Sequence, residues 1–334
     1  MTRKQRSRRG IGRPWEWLDA SSWDEFASRS PGATGFHARA WSEAVAAHDR
    51  RFEARAAGLE LASGELAVLP MVVRRGLHRR GPLGRAVSTQ PGTYGGPILR
   101  DRLLTPEDWA EVFEILAGLG IGRLDCFGNV LDPLPDGLHV EGLATTRCRT
   151  HVVALDALPE DPRSTYRQGC RRGLRKAEAA GLSFRRITTR AELEPYYAIY
   201  IDRLRNAWGK AVEKAYPMEL FGTLMEAPGA EIWCAYDSQG EVAAGAVFLF
   251  APRHCVYWQG ALSTRHGGFS PSKALMHHLI LEARSRGCAW FDFNPSSGLA
   301  GVEAFKRGFG AAEVEVTRWR RLSPLVRLTS RSRR

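Results

Sequence analysis

The order of apolar, polar and turn-forming segments predicts an α/β fold: a mixed β-sheet with helices on both faces, laid down twice in one chain. Strand-like runs rich in valine and aromatics alternate with helical stretches opened by proline or Thr-Pro and closed by glycine. Two such series follow one another, meeting near residue 158. A length of 334 residues is long for one unit and ample for two of roughly 150 residues each. The sequence divides into a basic tail at 1–14, a first unit at 15–158, a second at 159–322 and a basic tail at 323–334.

In the first unit, Ser21–Phe26 and Ala38–His48 read as helices around Trp23 and Trp41. Phe52–Gly58 and Gly64–Val73 read as paired strands turning at Ala62-Ser63-Gly64. Pro91 to Pro97, with Tyr94, Gly95 and Gly96 inside it, is too rich in glycine and proline for regular structure. Thr105 caps a helix that starts at Pro106 and runs to about Leu119. Strands Gly122–Phe127 and Arg147–Leu155 follow.

The second unit opens with a helix from Pro162 to Ala180, closed by Gly181, then a strand at Leu182–Ile187. Helices at Glu192–Trp208 and Pro217–Met225 precede a hairpin of Glu231–Tyr236 and Val242–Ala251. Strand His254–Ala261, helix Pro271–Arg286, strand Cys288–Phe293, a short helix and strand Ala311–Arg318 complete it.

Charge is concentrated at the ends. The net +12 includes six basic residues in 1–13 and seven in 318–334, with no acid in either, so the body carries about −1. Such ends suit an anionic surface or nucleic acid, or serve solubility alone. The longest apolar run, Val242–Ala251, falls short of the roughly 20 residues a membrane helix needs. Glu16, Asp19 and Asp24 come too early for a signal peptide. The six cysteines stand singly, without C-x-x-C spacing, and read as buried small hydrophobes in a reduced, cytoplasmic protein. No metal or redox cofactor is expected.

The chemistry concentrates in two places. Trp290-Phe291-Asp292-Phe293-Asn294 reads as a buried strand with a polar end. A loop and a short helix carrying Phe305 and Lys306 follow it. In open α/β sheets, ligands bind beyond the strand's C-terminal end. The second place is the helix bearing Arg167, Arg171 and Arg175 at i, i+4 spacing, with Arg172 and Lys176 one step round. Like charges at that spacing repel, so an anionic ligand explains them better than helix stability does.

Four segments carry a resemblance to a known family. They are Phe36-His37-Ala38-Arg39-Ala40-Trp41, Tyr94-Gly95-Gly96-Pro97, Arg171–Glu178 with Gly181, and Phe291-Asp292-Phe293 with Phe305-Lys306 and Phe309-Gly310. Their order resembles the FemXAB branch of the GNAT acyltransferases over roughly residues 30–320. That branch comprises peptidyltransferases that use aminoacyl-tRNA, and related acetyltransferases, built from tandem GNAT-like domains. The resemblance implies transfer of an amino acid from aminoacyl-tRNA to a small amine-bearing acceptor, a cell-wall precursor or an antibiotic-type molecule. It implies that Lys306 stabilises the oxyanion or holds the tRNA 3′ end, and that Phe305 stacks on the terminal adenine. Asp125 would orient or deprotonate the attacking amine. Arg171 and Arg175, with Tyr94, Gly95 and Gly96, would line the acceptor side. Some muropeptide-using members carry a lysine just after the tryptophan of the first segment. This chain has Ser42-Glu43-Ala44 there, which speaks against a UDP-linked precursor unless Arg74, Arg75, Arg79 and Arg80 substitute.

Two other readings stay open. Arg265-His266-Gly267-Gly268-Phe269-Ser270 matches the acyl-CoA pyrophosphate loop R/Q-x-x-G-x-G/A except at Ser270. That pattern makes acetyl-CoA or another acyl-CoA the alternative donor. The third reading is a non-catalytic tRNA- or membrane-docking module.

Overall fold

The computed structural model describes residues 15–47, 51–74, 81–88, 93–119, 121–138, 140–206, 215–296, 299–324 and 326–327. Arg75, Arg79, Arg80, Pro91, Gly92, Trp208 and nearly all of the two basic tails lie outside the described residues.

In the first half, β1 (Trp15–Trp17) leads into helices α1 (Ala20–Arg29) and α2 (Arg39–Ala47), joined by a 3₁₀ turn at Gly35–His37. Strands β2 (Phe52–Glu60), β3 (Leu66–Arg74) and β4 (Gly81–Ser88) follow, then α3 (Pro106–Gly118), β5 (Ile121–Phe127) and β6 (Leu143–Ala154). The second half runs α4 (Gln168–Ala179), β7 (Ser183–Ile187), α5 (Arg190–Asn206), α6 (Met218–Glu226), β8 (Ala230–Tyr236), β9 (Val242–Ala251) and β10 (His254–Leu262). It closes with α7 (Pro271–Ser285), β11 (Trp290–Asp292), α8 (Ala300–Arg307) and β12 (Ala312–Leu322).

The two expected sheets are one. Twelve strands join in the order β1-β2-β3-β4-β5-β12-β6-β11-β10-β9-β8-β7. The last strand, β12, threads between β5 and β6 and pairs antiparallel with both, which fuses the halves. Two strands were not expected. β1 is only three residues long, and β4 reads Gly81-Pro82-Leu83-Gly84 at its start, a composition that argues for a loop. The long opening helix of the second half is also broken. A 3₁₀ turn covers Pro162–Thr165, Tyr166 and Arg167 are extended, and α4 begins only at Gln168.

Each half holds one parallel pair, β4 with β5 and β10 with β11. Helices cover both faces, as alternation along the strands requires. On β9, Ala244, Ala246 and Phe248 pack with α4 and α7, whereas Val247 and Leu249 face the core shared with α2, α5 and α6. That second core belongs to both halves. Trp41 of α2 meets Trp258 of β10 edge to face at 4.8 Å, and Phe36 and Tyr94 pack beside them. Gly35 lies so close to β9 that a Cβ there would fall 2.3 Å from Leu249 Cβ.

Candidate active site

Strands β10 and β11 pair only over His254–Val256 and Trp290–Asp292. β10 then bulges at Tyr257/Gln259 and continues to Leu262, while the other chain stops at Asp292 and turns away through Asn294, which holds φ 59°. The sheet therefore opens into a V at the C-terminal end of β11, where the sequence placed a polar turn.

Lys306 is buried at this opening, 1% exposed. Helix α8 carries it against the end of β11. Phe305, half-buried, turns into the core with Phe293 and Phe309, the latter at 5.3 Å. The neighbouring Arg307 pairs with Glu303 at 2.9 Å on the helix surface. The Lys306 ammonium donates to the Asn294 carbonyl. An ammonium has three donors, and among the described residues this is its one hydrogen bond. Burial pulls its pKa down to about 8, and the charges of Asp292 and Glu303 oppose that fall.

Asp292, read from the sequence only as part of its strand's polar end, is the hub of a buried network. It is fully buried and collects partners from both halves. The Tyr94 hydroxyl donates to Thr150 Oγ1 at 2.9 Å, and the Thr150 hydroxyl donates to Asp292 Oδ1 at 3.0 Å. The Tyr94 oxygen lies 3.1 Å from that same carboxylate oxygen. His254 Nε2 sits 3.3 Å from Oδ2, and the Asn294 N–H donates to Oδ1 at 2.6 Å. On the opposite face of β6, His151 is buried with neither ring nitrogen hydrogen-bonded, and burial followed by the Lys306 charge lowers its pKa. Sequence reasoning passed over Thr150, His151 and His254. The available signal was two polar residues opening the apolar run Val152-Val153.

Of the remaining expected site residues, Tyr94 joins the Lys306 network through Asp292, whereas the glycines beside it do not. Tyr94, Gly95 and Gly96 are buried wall, not acceptor surface. Gly95 N–H donates to the Phe127 carbonyl at 2.8 Å and Gly96 N–H to Ser88 Oγ at 2.9 Å, so this loop fills the space between the ends of β4 and β5. A Cβ on Gly95 would lie 1.9 Å from the Ser88 carbonyl oxygen, which explains the glycine without a substrate. Asp125 is not free to act as a base. It accepts from Arg123 and from Arg320, each at 2.5 Å. Burial alone would raise its pKa; the hydrogen bonds from the two arginines outweigh that and hold it below the usual value.

The candidate acyl-CoA loop is also arranged otherwise. Thr264–Phe269 winds into a 3₁₀ helix, Arg265 turns outward to Glu241 at 3.5 Å, and Gly267 and Gly268 are exposed. At the start of α7, Pro271 has no N–H, and the N–H groups of Lys273 and Ala274 are already taken by the Ser270 carbonyl. Helix α4 lies across this start. Lys273 Nζ donates to the Gly169 carbonyl at 3.0 Å, and a Cβ on Gly173 would come within 2.6 Å of Lys273 Cδ. Beside it, Asp237, Glu241 and His266 each bring a ligand atom within 4.8 Å of the others. Protein contacts account for them: His266 bonds Asp237 at 3.0 Å and Ser263 at 2.9 Å.

The cationic face of α4 is as expected in part. Arg167, Arg172, Arg175 and Lys176 are exposed, and none has an ion-pair or hydrogen-bond partner among the described residues. Arg171 is half-buried and donates to the Tyr166 carbonyl at 2.7 Å. All six cysteines are free thiols, five of them buried. Among the described residues, no helix is long and apolar enough to cross a membrane.

Residues 164–307 match the family model described as an acetyltransferase (GNAT) domain. A search of curated proteins returned no match. Among solved structures the chain is similar to FemX at 14% identity and a TM-score of 0.68, over 94% of this chain and 99% of that one. It is similar to the C-terminal domain of a putative lysylphosphatidylglycerol synthetase from Agrobacterium fabrum at 12% identity and TM-score 0.56, over 94% of each chain. It is also similar to L-PGS from Bacillus licheniformis at 14% and 0.55, over 97% and 98% of the two chains. At these identities the likeness is one of fold, a mixed sheet with helices on both faces as the sequence led us to expect.

Proposed function

We propose that this chain, whose fold is that of the FemXAB-like branch of the GNAT acyltransferases, forms an amide bond by passing an aminoacyl group from tRNA to a small amine. The observation that carries this is Lys306, a buried ammonium with one hydrogen bond, set where β10 and β11 part.

In this reading the acceptor nitrogen attacks the ester carbonyl and the carbonyl electrons move onto oxygen. The unspent N–H groups of Lys306 meet that oxyanion in a water-poor site, where such an interaction is strong. Collapse expels the ribose oxygen of the tRNA terminus, and the proton lost by the amine goes to that oxygen. An ester is already activated, so holding the two reactants together supplies much of the rate. The unpaired cations of α4 support an anionic substrate. Two similar structures, named for lysylphosphatidylglycerol synthesis or as L-PGS, support amino-acid transfer as a chemistry of this fold.

A second reading, an acyl-CoA donor, is favoured by the acetyltransferase family that 164–307 match. Against it stands the start of α7, where helix N–H groups would meet a pyrophosphate, because α4 covers it.

Titration of the protein with bulk tRNA and, separately, with acetyl-CoA tells the two donors apart. A mixture of charged tRNAs with a panel of amines then reads transfer directly. We expect binding of tRNA and release of one amino acid into an amide product. Binding of acetyl-CoA with no use of charged tRNA would overturn the proposal, and so would RNA binding without transfer.

A further inference from the structure

We infer that Asp292 is a positioning residue for Lys306, acting through Asn294, which the two side chains clamp from opposite ends. The inference rests on the reading of Lys306 as the cation at the reacting carbonyl.

The geometry is that of a shared grip. Asp292 Oδ1 accepts from the Asn294 N–H at 2.6 Å, and Lys306 Nζ donates to the Asn294 carbonyl. Asn294 holds φ 59°, one of two non-glycine residues with positive φ among the described residues. Asparagine enters that conformation more readily than most L-residues, and its surroundings hold it there. Here the carboxylate and the ammonium do so, and the turn in return fixes where the ammonium sits.

Asp292 is itself held from three directions. Tyr94 reaches it from the first-half loop, Thr150 from β6 and His254 from β10. Tyr94 and Asp292 stand 198 residues apart in sequence, so this contact is one place where the first half reaches the site of the second half's lysine. A displacement of the Tyr94 hydroxyl would pass to Asp292, then to the turn, then to Lys306. Other ionisable groups also face the ammonium, namely Glu303 on α8 and His151 on β6.

The chain has six lysines, so side-chain labelling of lysine in the full-length protein gives few signals to resolve. The experiment follows the Lys306 side-chain resonance by NMR as pH is raised. In the unaltered protein it should titrate near 8, below the usual range for a lysine. In Asp292→Asn the stronger of the two opposing acidic charges is gone while Glu303 and His151 remain, so the midpoint should fall by about one pH unit or more. Tyr94→Phe keeps the carboxylate and the ring; it should displace the Lys306 resonance at fixed pH, and it carries the test should Asp292→Asn not fold. Asn294→Gly keeps both backbone groups and tolerates the positive φ, so the Lys306 midpoint should stay in place.

A merely structural role for Asp292 would lower the melting temperature and leave Lys306 where it was. An unmoved Lys306 signal in both Asp292→Asn and Tyr94→Phe overturns the inference. Because the readout is a resonance rather than turnover, that failure leaves the acyl-transfer reading standing. Absence of transfer from any charged tRNA, conversely, would leave the clamp standing.

Discussion

Each half of the sheet holds one parallel strand pair, and the ends of the two pairs are furnished in opposite ways. Between β4 and β5 the chain closes its own gap: the Tyr94–Gly96 loop bonds to Phe127 on one side and Ser88 on the other. The acid on β5, Asp125, is gripped by two arginines. Between β10 and β11 no such plug is present among the described residues. The lysine there is buried with most of its donors unspent. One architecture has thus been filled for stability in the first half and left poised in the second. A strand-end charge signals chemistry only when its partners do not already neutralise it.

The widest gap between the halves should appear when their charged groups are removed in turn. Lys306→Met keeps the length of the side chain and deletes the ammonium. Transfer should fall about 10²–10³-fold in kcat with little change in KM, as for loss of one oxyanion donor. Transfer in the unaltered protein should also fall as pH rises through about 8, because the ammonium loses its proton there. Lys306→Met should lack that limb. A variant with undiminished transfer would remove the asymmetry between the two pairs.

Gly95→Ala tests the plug itself. A Cβ 1.9 Å from a backbone oxygen forces the loop out of the β4–β5 gap, at roughly 3 kcal/mol or more. The denaturant midpoint should drop accordingly. The comparison is Gly267→Ala, exposed with nothing within 4 Å of its Cβ, which should stay within about 0.5 kcal/mol of the parent.

Asp125→Asn should separate stability from chemistry. The depressed pKa of Asp125 means its ionised form stabilises the fold at neutral pH. That contribution is complete above the unfolded-state value near 3.9 and is lost as pH falls through the lower folded-state value. Both arginines are about a third exposed, so solvent weakens the pairs, and a loss of about 1–2 kcal/mol at pH 7 is expected. The difference from the parent should shrink in acid, and transfer should change less than threefold by this reading. A large loss of kcat without loss of stability would restore Asp125 as a catalytic group.

The second half could be read from the sequence far better than the first, for physical reasons. Helix α7 and strands β8 to β10 announce themselves through local pattern: Pro271 at a helix start, an apolar run in Val242–Ala251, a turn at Asp237–Gly240. Strand β4 has no such signal, because its identity comes from parallel pairing with β5 across a whole intervening helix. Lys306 was visible as a residue beside an aromatic, but its burial depends on where α8 settles over the end of β11. The Tyr94–Asp292 contact depends on a sheet that closes only when β12 inserts between β5 and β6. The glycines at 95 and 96 read equally well as substrate approach or as close chain packing, and only the position of Ser88 decides between them.

The smallest expected effect bears on the donor. Ser270 holds φ 56° at the start of α7, and its side chain makes no capping hydrogen bond. An L-residue pays roughly 1–2 kcal/mol in that conformation, while glycine adds about 0.5–1 kcal/mol of entropy to the unfolded chain. Ser270→Gly should therefore stabilise the protein by about 0.5 kcal/mol, visible as a small rise in denaturant midpoint at unchanged slope. The same substitution completes the R-x-x-G-x-G pattern of an acyl-CoA loop. If sequence pattern alone limited that site, the variant would gain affinity for acetyl-CoA. With α4 lying over the helix start and the Lys273 and Ala274 N–H groups already bonded, no gain is expected. A gain would show that the second half keeps a working acyl-CoA cradle, and would move the donor from tRNA to the thioester.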